Sequence, residues 1–371
     1  MLPEPLSPVA GQVLRRLVAD RAATRPELAG TLGVTKQTVS NAVAELEERG
    51  LVSAAAVQQG PVGRSAVRYA LAPHAGWVAG VDLRSDRLRV AAARLDGTVI
   101  ADREVPNPAS STSRDWPEQL ELAAHALAQV AQGTPESAGG LLGVGVAVGR
   151  PVPEVEDLLG DAHDDGDERL LGALAPVSPA AVWTENDVNC AALAQLRYHA
   201  GFAADDVVHL QLGVGVGAAI VVGGRILRGA RGRAGEVRDV PLPGGTAEAT
   251  LSAGALIAAA GRTGGPLTAA LDGVFAAAAA GDPRARAAVD AEAEGVARLL
   301  GLLVAVADPR TIVLSGLVGG RPDLRAGVAA ACAATGIEVP LAEDPLGDGA
   351  TVLGATSIAA ERVLAALAPP R

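Results

Sequence analysis

Hydrophobic positions between residues 24 and 50 recur every three or four residues and predict two helices, a short one and a longer one. Thr24 and Glu27 have the spacing of a capping box at the start of the short helix, and Gly33 is expected to end it. Thr35 is expected to cap the longer helix, which ends before Gly50. The apolar face of the longer helix is predicted to consist of Val39, Ala42, Val43 and Leu46.

Two helices that meet across a tight glycine turn form a helix-turn-helix, whose second helix enters the major groove of DNA. Lys36 is the only lysine of the chain and can reach guanine edges or phosphates, whereas Gln37 and Asn41 can pair with adenine. An ordinary helical hairpin with a solvated polar face is the alternative for this segment. The candidate DNA-binding residues on the helix are Thr35, Lys36, Gln37, Thr38, Ser40 and Asn41.

A β-hairpin is predicted directly after the second helix, which favours DNA binding over the plain helical hairpin. An extended stretch runs to Gln59, residues 60–64 form a glycine- and proline-containing turn, and apolar residues then alternate up to Leu71. A hairpin in this position is typical of the wing of a winged helix. Arg64 and Arg68 are the candidate wing contacts to phosphates or to a minor groove.

The charge of the chain differs between its two parts. Residues 1–72 carry eight basic and six acidic side chains, whereas the remaining residues carry 23 basic and 36 acidic ones. Because an acidic body repels nucleic acid, contact with double-stranded DNA is predicted for the N-terminal part alone. The affinity for DNA should then fall as the salt concentration rises.

The length of 371 residues allows two or three domains. Cys190 and Cys332 are too few for a disulfide framework and fit a reducing cytosol. The N-terminus lacks the basic start and apolar run of a signal peptide, and apolar stretches such as 299–307 are too short to cross a bilayer. We therefore expect a cytoplasmic protein that has no membrane partner.

From residue 77 onward, apolar β-like runs alternate with alanine-rich helical stretches, which predicts an α/β fold. The preceding segment 73–76 is the expected domain boundary. Strands are predicted at 77–83, 88–95, 142–148, 207–212, 218–222 and 311–314. Helices are predicted at 116–132, 186–199, 252–260, 284–307 and 355–366.

The order of motifs resembles the repressor branch of the ROK family, named for repressors, open reading frames and sugar kinases. After the winged helix come GVDL, GVGVAVGRP, TENDVNCAALAQ, LQLGVGVGAAIVVGGRILRGARGRAGEV and DPRTIVLSG. The resemblance implies a two-lobed domain similar to actin and hexokinase, and a regulator of sugar catabolism that releases DNA on binding a sugar. The implied domains are 1–72 for DNA binding and 73–371 for the effector, with lobe one at about 77–185 plus the C-terminal helix and lobe two at about 186–352.

The phosphate loops of the family's kinases look degenerate in this chain. After Asp82, Arg84 and Ser85 occupy the positions of two glycines that close on ATP, and Asp86 adds a carboxylate that repels phosphate. The second loop keeps Gly213, Gly215 and Gly217 but has Val214 in place of a threonine hydroxyl. The glycines alone would fit a tight turn between strands. Productive ATP binding is therefore not expected.

The sugar-binding positions look better preserved. The resemblance places the kinases' general base at Asp187, and other hydroxyl-binding groups at Asn186, Glu236, Asp239 and Glu248. Carboxylates and amides can bridge neighbouring hydroxyls of a sugar. Asn186 and Asp187 can also act as a helix N-cap pair, and Glu236 can be a salt-bridge partner.

The zinc site found in most ROK proteins is missing its ligands here. Asp239 replaces the histidine ligand, and residues 241–248 contain no cysteine. Thiolates are the usual ligands of a structural zinc site. We therefore predict that the protein has no metal and no cofactor.

Taken as a ROK-type regulator, the chain is predicted to repress sugar genes under control of a sugar or sugar-phosphate effector, without catalysis. A homodimer or homotetramer is expected because one recognition helix reads too few base pairs of an operator. A bifunctional sugar kinase that uses Asp187 as its base is one alternative. A DNA-binding regulator without a sugar ligand is the other.

Overall fold

The computed structural model describes residues 4–59, 65–83, 87–106, 116–152, 156–157, 172–175, 181–199 and 206–369. The chain divides into two compact units. The first comprises Met1–Val148, Val155–Glu185 and Ala355–Arg371, and the second comprises Gly149–Glu154 and Asn186–Gly354. The N-terminal segment therefore belongs to the same unit as the first sheet of the effector part.

The N-terminal segment folds as a winged helix, as the sequence predicts. Thr24 and Glu27 form the capping box of α2, and Thr35 caps α3 through the amide of Thr38. The three strands form an antiparallel sheet in the order β1-β3-β2. The elements are α1 Pro8–Asp20, β1 Ala22–Thr24, α2 Arg25–Leu32, α3 Lys36–Glu48, β2 Val52–Gln59 and β3 Ser65–Leu71.

The first unit also contains a sheet of six strands in the order β6-β5-β4-β7-β9-β8. Strands β4 to β6 form an antiparallel meander, and β7 lies parallel to β4. A Cβ at Gly145 of β7 would lie 2.0 Å from the carbonyl oxygen of Ala355, so glycine permits the close approach of the C-terminal helix. The elements are β4 Trp77–Leu83, β5 Arg87–Arg94, β6 Val99–Pro106, α4 Trp116–Gly133, β7 Leu141–Val148, β8 Glu156–Asp157 and β9 Ala181–Asn186.

The second unit contains a sheet of five strands in the order β12-β11-β10-β15-β16. Strands β10 and β11 are antiparallel, whereas β10, β15 and β16 are parallel. The strands are β10 Val207–Leu212, β11 Val216–Val222, β12 Arg225–Ile226, β15 Thr311–Ser315 and β16 Leu341–Glu343, with a small hairpin of β13 Pro241–Leu242 and β14 Gly245–Thr246.

The helices of the second unit cover this sheet and enclose an apolar core that includes Leu210, Val296, Leu300 and Ile312. They are α5 Asp187–Tyr198, α6 Ala247–Leu251, α7 Ala253–Ala259, α8 Leu267–Ala279, α9 Pro283–Ala307, α10 Gly316–Gly319 and α11 Pro322–Ala334. The last helix, α12 Ala350–Leu367, contributes its residues from Ala355 onward to the first unit.

Among the described residues, one helical stretch is longer than the apolar stretches, such as 299–307, that the sequence suggests are too short to cross a bilayer. Residues 347–367 form a helical stretch of 21 residues that is apolar enough to do so. Within its most apolar window, 72% is buried inside the protein. Burial of this kind is typical of a core helix.

Candidate functional site

The outward face of α3 carries the polar residues that the sequence singles out for DNA. Lys36, Gln37 and Asn41 are exposed, and the Gln37 side-chain amide donates to Asn41 Oδ1 at 3.0 Å. Thr35 is exposed at the helix start, while Thr38 and Ser40 are half-buried. The four predicted inner residues, Val39, Ala42, Val43 and Leu46, are buried. The helix therefore presents an amide pair and a lysine on one face.

Arg68 of the wing makes contacts inside the N-terminal segment. Its guanidinium donates to the carbonyl oxygen of Ala22 at 2.6 Å and lies 3.5 Å from a Glu27 carboxylate oxygen. Hydrogen bonds from Thr24 hold the pKa of Glu27 below its usual value. Arg68 thus links β3 to α2 and β1. Arg64 lies outside the described residues.

Arg25 is a second arginine between helix and wing, which the sequence analysis did not single out. Its guanidinium lies 4.8 Å from the centre of the Tyr69 ring, a cation–π distance, and 3.9 Å from Glu47. No short-range pattern reveals this contact, because Arg25 and Tyr69 are far apart in the sequence.

Asn186 and Asp187 lie where β9 gives way to α5. Asn186 Oδ1 accepts hydrogen bonds from the amides of Val188 at 3.0 Å and Asn189 at 3.1 Å, so Asn186 is the N-cap of α5. Its amide nitrogen donates to the carbonyl oxygen of Arg150 at 3.3 Å. Both Asn186 and Asp187 remain partly exposed. The capping role that the sequence left open is therefore present, and it fixes the place of Asp187.

The glycine loop, residues 213–217, lies beside two of the predicted sugar positions. A Cβ at Gly217 would come within 2.8 Å of the Val188 side chain, directly after Asp187. A Cβ at Gly215 would come within 3.1 Å of a Glu248 carboxylate oxygen. Val214 is 47% exposed at the tip of the loop. The loop thus brings the start of α5 and Glu248 to one place in the second unit.

The segment that carries Glu236 and Asp239 runs next to the same loop. The backbone amide of Ala218 donates to the carbonyl oxygen of Gly235 at 3.1 Å. The backbone amide of Glu248 donates to the carbonyl oxygen of Arg238 at 3.0 Å. The Arg238 guanidinium forms an ion pair with the Glu248 carboxylate. Glu236 is half-buried and Asp239 is exposed. Arg238 was not predicted as a site residue from the sequence.

The first phosphate loop is described only at its start. Asp82 ends the buried part of β4 and is 2% exposed, whereas Arg84, Ser85 and Asp86 lie outside the described residues. Among the described residues, no three or more His, Cys, Asp or Glu side chains converge to hold a metal ion. The absence of zinc and of bound ATP stays a prediction from the sequence.

Comparison with protein families supports the two-part organisation. Residues 78–362 match the model of the ROK family, and residues 5–60 match that of the MarR family. The chain belongs to the ROK family.

Three known proteins show what the chain is similar to. The xylose repressor of Bacillus subtilis (strain 168) is 22% identical to this chain over 228 residues. The aligned residues are 61% of this chain and 58% of the repressor, so the match spans less than two thirds of that relative. A ROK family transcriptional regulator, a homologue of the E. coli MLC protein, matches with a TM-score of 0.74 and 20% identity over 97% of this chain and 96% of its own. A ROK hexokinase from Thermus thermophilus matches with a TM-score of 0.61 and 28% identity over 77% and 99%.

Proposed function

We propose that the protein is a transcription regulator that binds operator DNA through α3 and represses genes of sugar metabolism. The observation that carries this proposal is the exposed face of α3, with Lys36, Gln37 and Asn41, in a winged helix attached to a ROK domain. The similarity to a protein named xylose repressor supports the same function. We further propose that it acts in the cytoplasm as a homodimer or homotetramer, since paired recognition helices read paired half-sites.

Substitutions on the recognition face test DNA binding. Gln37→Ala or Asn41→Ala should weaken operator binding by about 1 to 3 kcal/mol and relax the base preference at one position, because each removes contacts to a base edge. Gel-shift titration against the upstream region of its own gene measures this. Gln132→Ala removes an exposed amide from the end of α4 and serves as the matched control. Equal affinity of both α3 variants, the control and the wild type would contradict the proposal.

For the second unit we propose a sugar or sugar phosphate as the effector. Asn186, Asp187 and Glu248 lie around the glycine loop, with the segment of Glu236 beside it. Such a set of carboxylates and amides can hold several hydroxyls at once. Binding of the effector would release the operator.

A sugar kinase is the second candidate function, favoured by one observation. Asp187 stands at the start of α5 beside the glycine loop, where the resemblance places a general base, and a hexokinase is among the similar structures. We expect no sugar-dependent ATP consumption, because Val214 offers no hydroxyl to a phosphate. A coupled assay over common hexoses tests this. Turnover that disappears in Asp187→Asn would establish the kinase instead.

A further inference from the structure

A cluster of arginines follows β12 in the otherwise acidic effector part of the chain. Residues 228–238, here called the arginine loop, contain four arginines and a single acidic residue, Glu236. Residues 73–371 as a whole contain 23 basic and 36 acidic side chains. Positive charge is therefore concentrated in the segment that leads into the candidate sugar site.

The arginine loop is fixed against the second sheet. The Ala234 amide donates to the carbonyl oxygen of Arg228 at 2.9 Å and closes the loop on itself. Gly235 has a φ of 89°, and a Cβ there would lie 2.1 Å from the carbonyl oxygen of Ala218 in β11. Only glycine allows this approach. Gly235 of the arginine loop therefore lies against Ala218, the residue that follows the glycine loop 213–217.

The guanidinium groups of the arginine loop differ in their partners. Arg238 forms an ion pair with Glu248, one of the carboxylates predicted to bind a sugar hydroxyl. Arg231 and Arg233 are exposed, and among the described residues neither has an acidic partner within ion-pair distance. The carbonyl oxygen of Arg233 accepts from the amide of Glu236 at 3.2 Å, which places Arg233 next to another predicted sugar ligand.

We propose that the effector is a sugar that carries an anionic group, a carboxylate or a phosphate, held by Arg231, Arg233 and Arg238. This inference rests on the proposed sugar-binding function of the same site. Guanidinium groups bind both anions through paired, charge-assisted hydrogen bonds. The carboxylates of the site hold the hydroxyls, and the arginines hold the charged end of the ligand.

The charge of the site also argues for this ligand. The carboxylates of Asp187, Glu236 and Asp239 would repel an anion, whereas Glu248 is already paired with Arg238. The arginine loop adds the exposed guanidinium groups of Arg231 and Arg233 to this site. A neutral sugar leaves Arg231 and Arg233 in solvent and gains nothing from them. An acidic sugar can form ion pairs with both arginines. When Arg238 leaves Glu248 to bind the anionic group of the ligand, the Glu248 carboxylate becomes free to accept hydrogen bonds from the hydroxyls of the sugar.

Calorimetry on the full-length protein tests the ligand class with four probes: D-glucose, D-xylose, D-glucuronate and D-glucose 6-phosphate. We expect an acidic probe to bind at least about tenfold more tightly than the neutral sugars, as the loss of one hydrogen bond to a charged group would imply. The glucuronate and phosphate titrations distinguish a carboxylate ligand from a phosphate ligand. Affinity for the acidic probe should fall as the salt concentration rises.

Charge-removing variants locate the anion site. Arg238→Gln should weaken binding of the acidic probe about tenfold or more. The double variant Arg231→Gln with Arg233→Gln should weaken it by a similar factor. Arg286→Gln, which removes an exposed guanidinium near the start of α9, should leave binding unchanged. Since Arg231 and Arg233 are exposed, their variant remains a valid test even if Arg238→Gln fails to fold.

Two outcomes would overturn this inference, and they have different meanings. The first outcome is that a neutral sugar binds as tightly as the acidic probes, or that the arginine variants bind the acidic probe as tightly as the wild type does. In that case the proposal of an anionic ligand is wrong, while the proposed sugar-binding function stands. If no probe binds and none changes operator affinity, the proposed sugar effector fails as well.

Discussion

Glu292 is 3% exposed and lies on α9, whose residues Ala288, Ala293 and Val296 belong to the apolar core. Its Oε1 atom has no hydrogen-bond partner among the described residues. Burial raises the pKa of Glu292 to about 8, because the charged form loses its hydration. The side chain is therefore mostly neutral at pH 7 in the folded protein and charged in the unfolded chain.

This difference predicts how stability depends on pH. The unfolded chain releases the Glu292 proton near the ordinary value of 4.5, whereas the folded protein releases it near 8. The free energy of unfolding should therefore fall as the pH rises from about 5 to 8, by at most about 1.4 kcal/mol per unit. Glu292→Met should remove this fall and stabilise the protein at pH 8. Denaturant unfolding at both pH values measures the effect.

The matched control is Glu294→Met, which changes an exposed glutamate on the same helix that pairs with Arg298. It should keep the pH dependence of the wild type. An identical fall in the Glu292→Met protein would show that other groups cause it.

The sequence gives no sign that Glu292 is buried, because charged residues surround it in a stretch of alanines. His209 is similar: it is fully buried in β10, its Nε2 lies 2.7 Å from Ser315 Oγ, and burial lowers its pKa to about 4. The partner Ser315 belongs to a strand about a hundred residues later. Only the sheet order brings the two side chains together.

The helices α1 and α11 were not predicted from the sequence, and α1 shows why. Prolines precede it and Gly11 lies within it, and both weaken a helical pattern. In the structure, a Cβ at Gly11 would lie 2.7 Å from Ala368 Cβ, and the Leu6 amide donates to the carbonyl oxygen of Leu367 at 2.7 Å. The chain end that stabilises α1 is therefore more than 350 residues away, beyond the reach of local periodicity.

The wing yields a prediction that separates two roles of Arg68. Its bonds to Ala22 and Glu27 indicate a structural link, so Arg68→Met should lower the unfolding free energy of the winged helix by about 1 kcal/mol. The slope of operator affinity against salt concentration should stay that of the wild type. Thermal unfolding and gel shifts at several salt concentrations measure both.

A phosphate contact would give a different result. Each neutralised phosphate changes the slope of log affinity against log salt by about 0.9. If Arg68→Met reduces the slope by that amount and leaves the thermal stability unchanged, Arg68 contacts a DNA phosphate and does not act as a structural link. Arg16→Met on α1, which changes an exposed arginine paired with Asp20, is the control.

The two-part organisation of the chain can be predicted from the sequence because each motif that indicates it is local. The caps and apolar spacing of α2 and α3 lie within 27 residues, and the glycine loop lies within one β-hairpin. The pair of Arg238 and Glu248 could not be predicted in the same way. It depends on the hairpin of β13 and β14, whose strands are two residues long and carry no pattern.

Binding of a sugar and binding of DNA are expected to be coupled. The candidate DNA face belongs to the first unit, and the candidate sugar residues belong to the second. An effector can change operator affinity only by binding the DNA-competent and the incompetent state with different affinity. Asp187→Asn and Glu236→Gln should therefore leave operator affinity without sugar within about twofold and abolish the effect of the sugar, a change of about 5- to 150-fold in the wild type.

Operator titrations with and without the best-binding sugar, in the wild type and in both variants, measure this coupling. Asp323→Asn, which neutralises an exposed aspartate at the start of α11, is the control and should retain the full response. A full response in Asp187→Asn and in Glu236→Gln would mean that the effector binds elsewhere. In that case Asp187 would serve only the start of α5, and the glycine loop would be a turn between β10 and β11.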